Sequence, residues 1–142
     1  MRGILKTIDK RIYFIKTEDG RFNTIDVRSQ DDKTGLSPME LMLFAAAGCS
    51  AVDVQVILEK KRYMVDELVI EVEGERRDDH PRLWREIKYR YIVRGKNIKP
   101  EDVRKAIELS LTKYCSASIT LVRAGAELTW SYTVEETGYD NT

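Results

Sequence analysis

Residues 37–53 read SPMELMLFAAAGCSAVD, and this stretch decides the fold of the chain. It opens with Ser37, Pro38 and, three positions after the serine, Glu40. A serine at the N-cap, a proline at the first helical position and a glutamate at the third are strong signals for the start of a helix. Because no proline follows before Arg62, the pattern predicts one long helix that continues to that residue.

The predicted helix is apolar on nearly every side between Leu41 and Leu58. A helix with so narrow a polar face is normally buried on most of its sides. We therefore expect it to run through the middle of the protein as a long, buried central helix.

Short strands are predicted on both sides of this helix, from alternating apolar residues and β-formers. The dipeptide Asp19-Gly20 predicts a hairpin turn between two of them, and a polar loop over 29–36 precedes the helix. The six predicted strands cover 11–16, 22–28, 67–73, 87–93, 119–122 and 128–134, and a short strand at 3–8 is an optional addition before the first of them.

A second helix is predicted to begin at Pro100, with carboxylates in its first turn, and to end near Tyr114. The resulting order is ββ-α-ββ-α-ββ, which is an α+β fold with antiparallel sheets. We expect a single domain over 1–142, with a frayed tail at 136–142.

Composition excludes several classes of function. The chain has 142 residues, and its 24 basic and 24 acidic side chains cancel to a formal net charge of zero. This balance argues against a nucleic-acid or anionic-membrane binder.

We expect no membrane span, because no apolar run reaches ~18–20 residues. We also expect no secretory signal, because the first residues contain no long apolar segment. The expected location is therefore the cytoplasm. One histidine and two cysteines make neither an ordinary zinc site nor a disulfide scaffold.

Cys49 lies in the middle of the predicted central helix. It is either an inert thiol of the core, where burial raises the pKa, or a reactive thiol that needs a nearby cation. Asp53, one turn further along, would oppose ionisation of the thiol. A reactive Cys49 therefore requires an arginine or lysine from another segment or another subunit.

Cys115 follows directly after the second predicted helix, in the sequence KYCSAS. It is either a packing residue or the partner of Cys49 in a two-thiol redox pair. The residues alone leave both interpretations open, because they do not show whether the two cysteines meet.

These residues together resemble the OsmC/Ohr family of osmotically inducible and organic hydroperoxide resistance proteins. The resemblance rests on residues 37–53 and on the second cysteine motif at 113–118, and it is nearest to the OsmC-like branch. It covers nearly the whole chain. The family implies an intertwined homodimer in which a long helix from each subunit is buried, with active sites at the subunit interface.

The resemblance also implies a reaction. It implies a thiol-dependent peroxidase that reduces organic hydroperoxides, with hydrogen peroxide as a further substrate, in oxidative-stress defence. Cys49 would attack the peroxide as a thiolate, and Cys115 would resolve the resulting sulfenic acid to a disulfide. An external thiol or dithiol would reduce this disulfide, and no metal or other cofactor would be needed.

The resemblance implies roles for two further residues, an arginine and a glutamate, at matching positions of this sequence. The family uses an arginine from the N-terminal strands to hold the thiolate, which Arg11 matches best and Arg21 less well. The family's glutamate directly follows the proline, but this chain has Met39 there and Glu40 one position later. A one-residue offset turns a helical side chain by about 100°, so we interpret Glu40 as a helix cap.

This departure supports a second hypothesis, a non-catalytic homodimer that binds a small molecule on the same scaffold. A purely structural dimer is a third hypothesis. We interpret His80 as a turn residue, and we interpret the aromatic residues of the strands as packing or interface residues.

Overall fold

A computed structural model of the protein describes residues 1–138. The chain divides into two compact units, residues 1–42 and the part that begins at Leu43. The boundary between them falls within the long helix, and each unit is described below by itself. The prediction of one domain over 1–142 stays a prediction.

The N-terminal unit contains three antiparallel strands, β1 (Gly3–Asp9), β2 (Ile12–Thr17) and β3 (Phe22–Asp26), with β2 in the centre. The β2–β3 turn places Gly20 at a φ of +93°, a conformation that favours glycine. This confirms the hairpin predicted from Asp19-Gly20.

The loop after β3 is organised around the Asp26 carboxylate, which is 3% exposed. Arg28 donates to both of its oxygens, at 3.0 and 2.8 Å. The backbone N–H groups of Thr34 and Gly35 donate to it from the far end of the loop, each at 3.0 Å. These bonds hold the pKa of Asp26 far below its ordinary value, with the Arg28 side chain as the largest cause.

Helix α1 (Pro38–Lys60) begins as predicted. The Ser37 hydroxyl donates to the Glu40 carboxylate at 2.8 Å, and Lys33 pairs with the same carboxylate at 2.5 Å. These groups, Lys33 first, lower the pKa of Glu40. Glu40 is therefore committed to the start of the helix.

The expectation that α1 is buried on most sides is wrong for the single chain. One side is buried, through Leu43, Ala46, Ala47, Ser50, Val54 and Leu58. On the other side Phe44 is 48% exposed and Val52 62% exposed. The sequence pattern gives the apolar character of the helix but does not identify what covers each face.

The second unit contains a sheet in which β5 (Trp84–Gly95) lies between β4 (Val65–Arg76) and β6 (Glu127–Glu136). β4 pairs antiparallel with β5, but β6 pairs parallel with it. The expectation of antiparallel sheets is therefore wrong for this pair. Parallel neighbours need a crossover connection, and helices supply it here.

The crossover consists of α2 (Pro100–Leu109), a π-helical turn (Ser110–Tyr114) and α3 (Ser116–Arg123). The strand predicted at 119–122 is thus wrong, because these residues belong to α3. The α+β class is confirmed, but the order within it is βββ-α-ββ-α-α-β.

Helix α3 ends in a Schellman motif, which was not predicted from the sequence. Gly125, at a φ of +108°, donates its N–H to the Val122 carbonyl, and Ala126 donates to the Leu121 carbonyl. This left-handed glycine is the sequence signal that could have identified a helix at 119–122.

Helix α1 and the C-terminal residues bear on two other expectations. α1 is long and apolar enough to meet a length and composition test for a membrane span, a test that the core helix of a soluble protein also meets. The predicted frayed tail begins too early, because Glu136 belongs to β6 and Thr137 donates its N–H to the Gly95 carbonyl at 3.1 Å. Residues 139–142 lie outside the described part of the chain.

Candidate functional site

The second unit brings the two cysteines together. Cys49, on α1, is half-buried, and its sulfur lies 3.8 Å from the Ser116 hydroxyl at the start of α3. The Ala117 backbone N–H and the Cys115 side chain both act on the Cys49 thiol and lower its pKa. Both cysteines are free thiols. The structure thus supplies the juxtaposition that the sequence left open.

Cys115 is fully buried between the π-helical turn and α3. Its N–H donates to the Ser110 carbonyl at 2.7 Å, which closes the π-helical turn. Its thiol donates to the Ser118 hydroxyl oxygen at 3.0 Å and lies 3.5 Å from the Ala46 carbonyl on α1. These contacts fix the side chain beside Cys49.

The two thiols have opposite shifts in pKa. The Ala117 N–H is the main group that holds the pKa of Cys49 below its ordinary value, and partial burial acts against it. The first turn of a helix favours a negative charge. Burial raises the pKa of Cys115, although the Ser118 hydroxyl and N–H lower it. Cys49 is therefore the thiol that ionises first.

This arrangement corrects one expectation. The sequence indicates that an arginine or lysine is required to activate Cys49, but the start of α3 supplies a backbone N–H that lowers its pKa. A strand at 119–122, as predicted from the sequence, leaves no helix N-terminus near Cys115, so the sequence does not reveal this group.

A second buried network lies beside the cysteines. Ser50, next to Cys49, bonds to the Tyr91 hydroxyl at 2.7 Å and to the Ser110 hydroxyl at 2.9 Å. Ser110 also lies 2.8 Å from the Asp53 carboxylate, to which it donates. The Asp53 charge raises the pKa of Cys49, as expected, but it ranks behind the hydrogen bonds that lower this pKa.

The other predicted site residues lie in the N-terminal unit. Arg11 has an exposed side chain and lies in the turn between β1 and β2, one residue before the strand that it was expected to open. Arg21 forms an ion pair with Asp19 at 2.9 Å. The roles of both arginines stay predictions.

Several residues have the structural roles expected of them. Tyr89 and Tyr91 are buried on the central strand β5, with their rings edge to face at 6.0 Å. Trp130 and Tyr132 form a half-buried aromatic pair on β6.

Among residues 1–138, no group of three histidine, cysteine or acidic side chains is placed to hold a metal ion.

Comparison with known proteins places this geometry in a family. Residues 30–131 match the family described as OsmC-like protein. Protein YhfA of Escherichia coli K12 is 37% identical over 134 residues, which cover 94% of this chain and 98% of that protein.

Solved structures share the fold. A hypothetical protein from Aquifex aeolicus is 31% identical, with a TM-score of 0.82 over 96% of this chain and 97% of that one. The organic hydroperoxide resistance protein OhrB of Bacillus subtilis has a TM-score of 0.61 at 16% identity, over 94% of this chain and 98% of that one. The family match and the Escherichia coli relative show that this chain belongs to the OsmC-like protein family.

Proposed function

We propose that the protein is a thiol-dependent peroxidase that reduces organic hydroperoxides, and also hydrogen peroxide, in the cytoplasm. One observation carries the proposal. Two free thiols lie side by side, and the pKa of Cys49 is lowered while that of Cys115 is raised. Such a pair provides one nucleophile and one resolving thiol. Membership of a family with hydroperoxide resistance proteins among its structural relatives agrees with this role.

The reaction has three steps. The Cys49 thiolate attacks the peroxide O–O bond, takes one oxygen as a sulfenic acid and releases an alkoxide, which takes up a proton to become the alcohol. Cys115 then displaces the hydroxyl group from the Cys49 sulfur and forms a disulfide and water. Two equivalents of an external thiol, or one dithiol, reduce the disulfide by thiol exchange.

The test is consumption of cumene hydroperoxide with a dithiol as the reductant. We expect Cys49→Ser to abolish turnover. Cys115→Ser should still consume one equivalent of peroxide and then accumulate sulfenic acid at Cys49. Turnover by Cys49→Ser at the wild-type rate would disprove the proposal.

We also propose that Arg11 assists Cys49, on the basis of the family resemblance. Arg21 is the matched control because its guanidinium is engaged by Asp19. Arg11→Ala should slow the alkylation of Cys49 at neutral pH about tenfold, as expected when a thiolate loses a charged hydrogen-bond partner. Arg21→Ala should leave the rate unchanged. Equal alkylation rates for Arg11→Ala and the wild type would show that Arg11 does not assist Cys49.

A homodimer is the proposed functional state. The exposed side of α1 supports it, because Phe44, Val52 and Val56 are 40–62% exposed there. Contiguous exposed apolar side chains are typical of interaction surfaces.

The alternative function, binding of a small molecule without catalysis, is favoured by one observation. Glu40 is held by Ser37 and Lys33, so its carboxylate is committed to the helix start. A titration of Cys49 separates the two functions. A pKa below the ~8.5 of a free cysteine supports catalysis, and a pKa above it supports a binding protein.

A further inference from the structure

Ser118 is the centre of a buried cluster that also contains Cys115, Tyr89 and the Ala46 carbonyl; we refer to it as the Ser118 cluster. Ser118 is 1% exposed. Its hydroxyl oxygen lies 3.0 Å from the Cys115 sulfur, 3.0 Å from the Tyr89 hydroxyl and 3.1 Å from the Ala46 carbonyl oxygen. Every polar side chain of this cluster therefore has a partner.

The single hydrogen of the Ser118 hydroxyl constrains the direction of the bonds that this hydroxyl makes. A serine hydroxyl has one hydrogen and two lone pairs. Ser118 donates its hydrogen to the Ala46 carbonyl, so it accepts from both the Cys115 thiol and the Tyr89 hydroxyl. Burial raises the pKa of Tyr89 to about 12, so the tyrosine keeps its proton. In this arrangement Ser118 accepts a hydrogen bond from the Cys115 thiol.

The same hydroxyl is placed to serve the thiolate. When Cys115 loses its proton, its sulfur becomes an acceptor within hydrogen-bonding distance of the Ser118 oxygen. A rotation of the Ser118 hydroxyl then directs its hydrogen to that sulfur. The Ala46 carbonyl can release this hydrogen because it lies within α1, where helical bonding supplies an N–H donor. The Tyr89 bond is retained throughout.

We propose that Ser118 is a positioning residue for disulfide closure, which accepts a hydrogen bond from the Cys115 thiol at rest and donates one to the Cys115 thiolate as it attacks. The proposal rests on the two-thiol cycle described above. In the step concerned, the Cys115 sulfur bonds to the Cys49 sulfur and is oxidised, and the Cys49 sulfur is reduced from its sulfenic state. The S–O bond breaks, and the proton lost by Cys115 joins the departing hydroxide to form water.

The first experiment compares wild type with Ser118→Ala after one equivalent of cumene hydroperoxide. Sulfenic acid at Cys49 is trapped with dimedone, and the disulfide is followed by mass spectrometry. We expect sulfenic acid to form at the wild-type rate and the disulfide to close about tenfold more slowly, because a hydrogen bond to a charged group is lost. The pH profile of closure should move to higher pH. Ser118→Thr, which keeps the hydroxyl, should restore closure.

Ser50→Ala is the matched control. Like Ser118, Ser50 has a buried hydroxyl that bonds to a tyrosine of β5, in this case Tyr91. Ser50 belongs to the neighbouring network with Ser110 and not to the Ser118 cluster. We expect wild-type closure in this variant. Closure at the wild-type rate in Ser118→Ala, or equal slowing in Ser50→Ala, would overturn the proposal.

Tyr89→Phe replaces Ser118→Ala if the latter does not fold, as judged by circular dichroism. Loss of the tyrosine hydroxyl makes Ser118 a poorer donor, so closure should slow severalfold. An unchanged rate would contradict the proposal.

A second measurement needs no peroxide. The ¹³Cβ shift of labelled Cys115 is followed against pH in a Cys49→Ser background, with and without Ser118→Ala. Removal of the hydroxyl should move the titration midpoint to higher pH, and an unchanged midpoint would overturn the role of Ser118. If the peroxidase proposal fails, no sulfenic acid forms even in wild type, whereas this titration still tests Ser118.

Discussion

Asp53 and Ala117 act on the Cys49 thiol in opposite directions. The Asp53 charge raises the pKa of Cys49, and the Ala117 N–H lowers it. We expect Asp53→Asn to lower this pKa, because the amide keeps an acceptor for the Ser110 hydroxyl but loses the charge. The pH midpoint of Cys49 alkylation by iodoacetamide, measured in a Cys115→Ser background, should fall.

Glu59→Gln is the control for this change, since Glu59 is an exposed carboxylate further along α1. Glu59→Gln should leave the pH midpoint of Cys49 alkylation unchanged. A midpoint that stays constant or rises in Asp53→Asn would show that the Asp53 charge does not act on the thiol.

At the residue scale, the two cysteines could be identified from the sequence, but the groups around them could not. Cys49 and Cys115 lie in recognisable motifs, whereas the Ala117 N–H is a backbone group that every residue except proline has. Ser118 has no distinguishing pattern in the sequence. Its position depends on α3 packing against α1, where its hydroxyl meets the Ala46 carbonyl.

At the scale of elements, the Schellman motif at the end of α3 depends on Gly125. Alanine at a φ of +108° is strained, and its Cβ would lie 3.4 Å from the Arg77 guanidinium. We expect Gly125→Ala to reduce the free energy of unfolding by about 1 kcal/mol. Urea unfolding monitored by circular dichroism measures this change.

Gly138→Ala serves as the comparison, because a Cβ at Gly138 meets nothing within 4 Å. Its unfolding free energy should match that of wild type. An equal, negligible effect of both substitutions would mean that the helix end does not need glycine.

The loop around Asp26 gives a pH-dependent prediction. The pKa of Asp26 is strongly lowered in the folded protein, mainly by Arg28. The stabilisation is therefore complete well above the unfolded pKa of ~3.9 and is lost as the pH falls below it. We expect Asp26→Asn to lower the free energy of unfolding at neutral pH, because the charged hydrogen bonds to Arg28 are weakened, and this loss should narrow below pH ~4. Urea unfolding at several pH values measures the loss at neutral pH and its change with pH.

Asp19→Asn is the control for this prediction, because Asp19 pairs with Arg21 on the surface, with both side chains more than half exposed. Such pairs contribute at most about 1 kcal/mol. If Asp26→Asn reduces the free energy of unfolding no more than Asp19→Asn does, the proposed role of Asp26 in the loop is wrong. The same holds if the reduction does not depend on pH.

Elements with local start or turn signals could be predicted from the sequence. Ser37, Pro38 and Glu40 mark the start of α1, and Asp19-Gly20 marks a hairpin. The failure at 119–122 has a physical reason, because a run of four β-formers fits a strand or a helix equally well. Tertiary packing decides here, since Ser118 and Leu121 are both buried, three residues apart, on one face of α3.

That error also produced the wrong strand pairing. A strand at 119–122 would form a hairpin with 128–134, which led to the expectation of antiparallel sheets. With α2 and α3 in the crossover, β6 instead pairs parallel with β5. One misassigned segment of four residues thus changed the predicted topology of the second sheet.

At the scale of the whole molecule, the exposed apolar side of α1 predicts self-association. Val52 is 62% exposed on this side. We expect Val52→Glu to convert a dimer into a monomer, because the glutamate would place a charge in the interface. Light scattering coupled to size-exclusion chromatography measures the mass.

Gln55→Lys is the matched control. It adds a charge on the same helix without removing an apolar contact, and Gln55 is already exposed beside Glu59. It should leave the mass unchanged. A monomeric wild type would disprove the dimer, and a dimeric Val52→Glu variant would place the interface elsewhere.

The parallel ladder between β5 and β6 also bears on how the reactive pair is made during folding. The ladder pairs Glu86 with Glu127, and Cys115 lies in the crossover between them. Contacts so distant in sequence form late, because chain entropy is lost before they become stabilising. We expect the newly synthesised chain to carry two independent thiols of ordinary reactivity, which become a redox pair only when the crossover closes. Pulsed alkylation during refolding should find Cys49 unactivated until β6 gains protection from hydrogen exchange, and earlier activation would contradict this order.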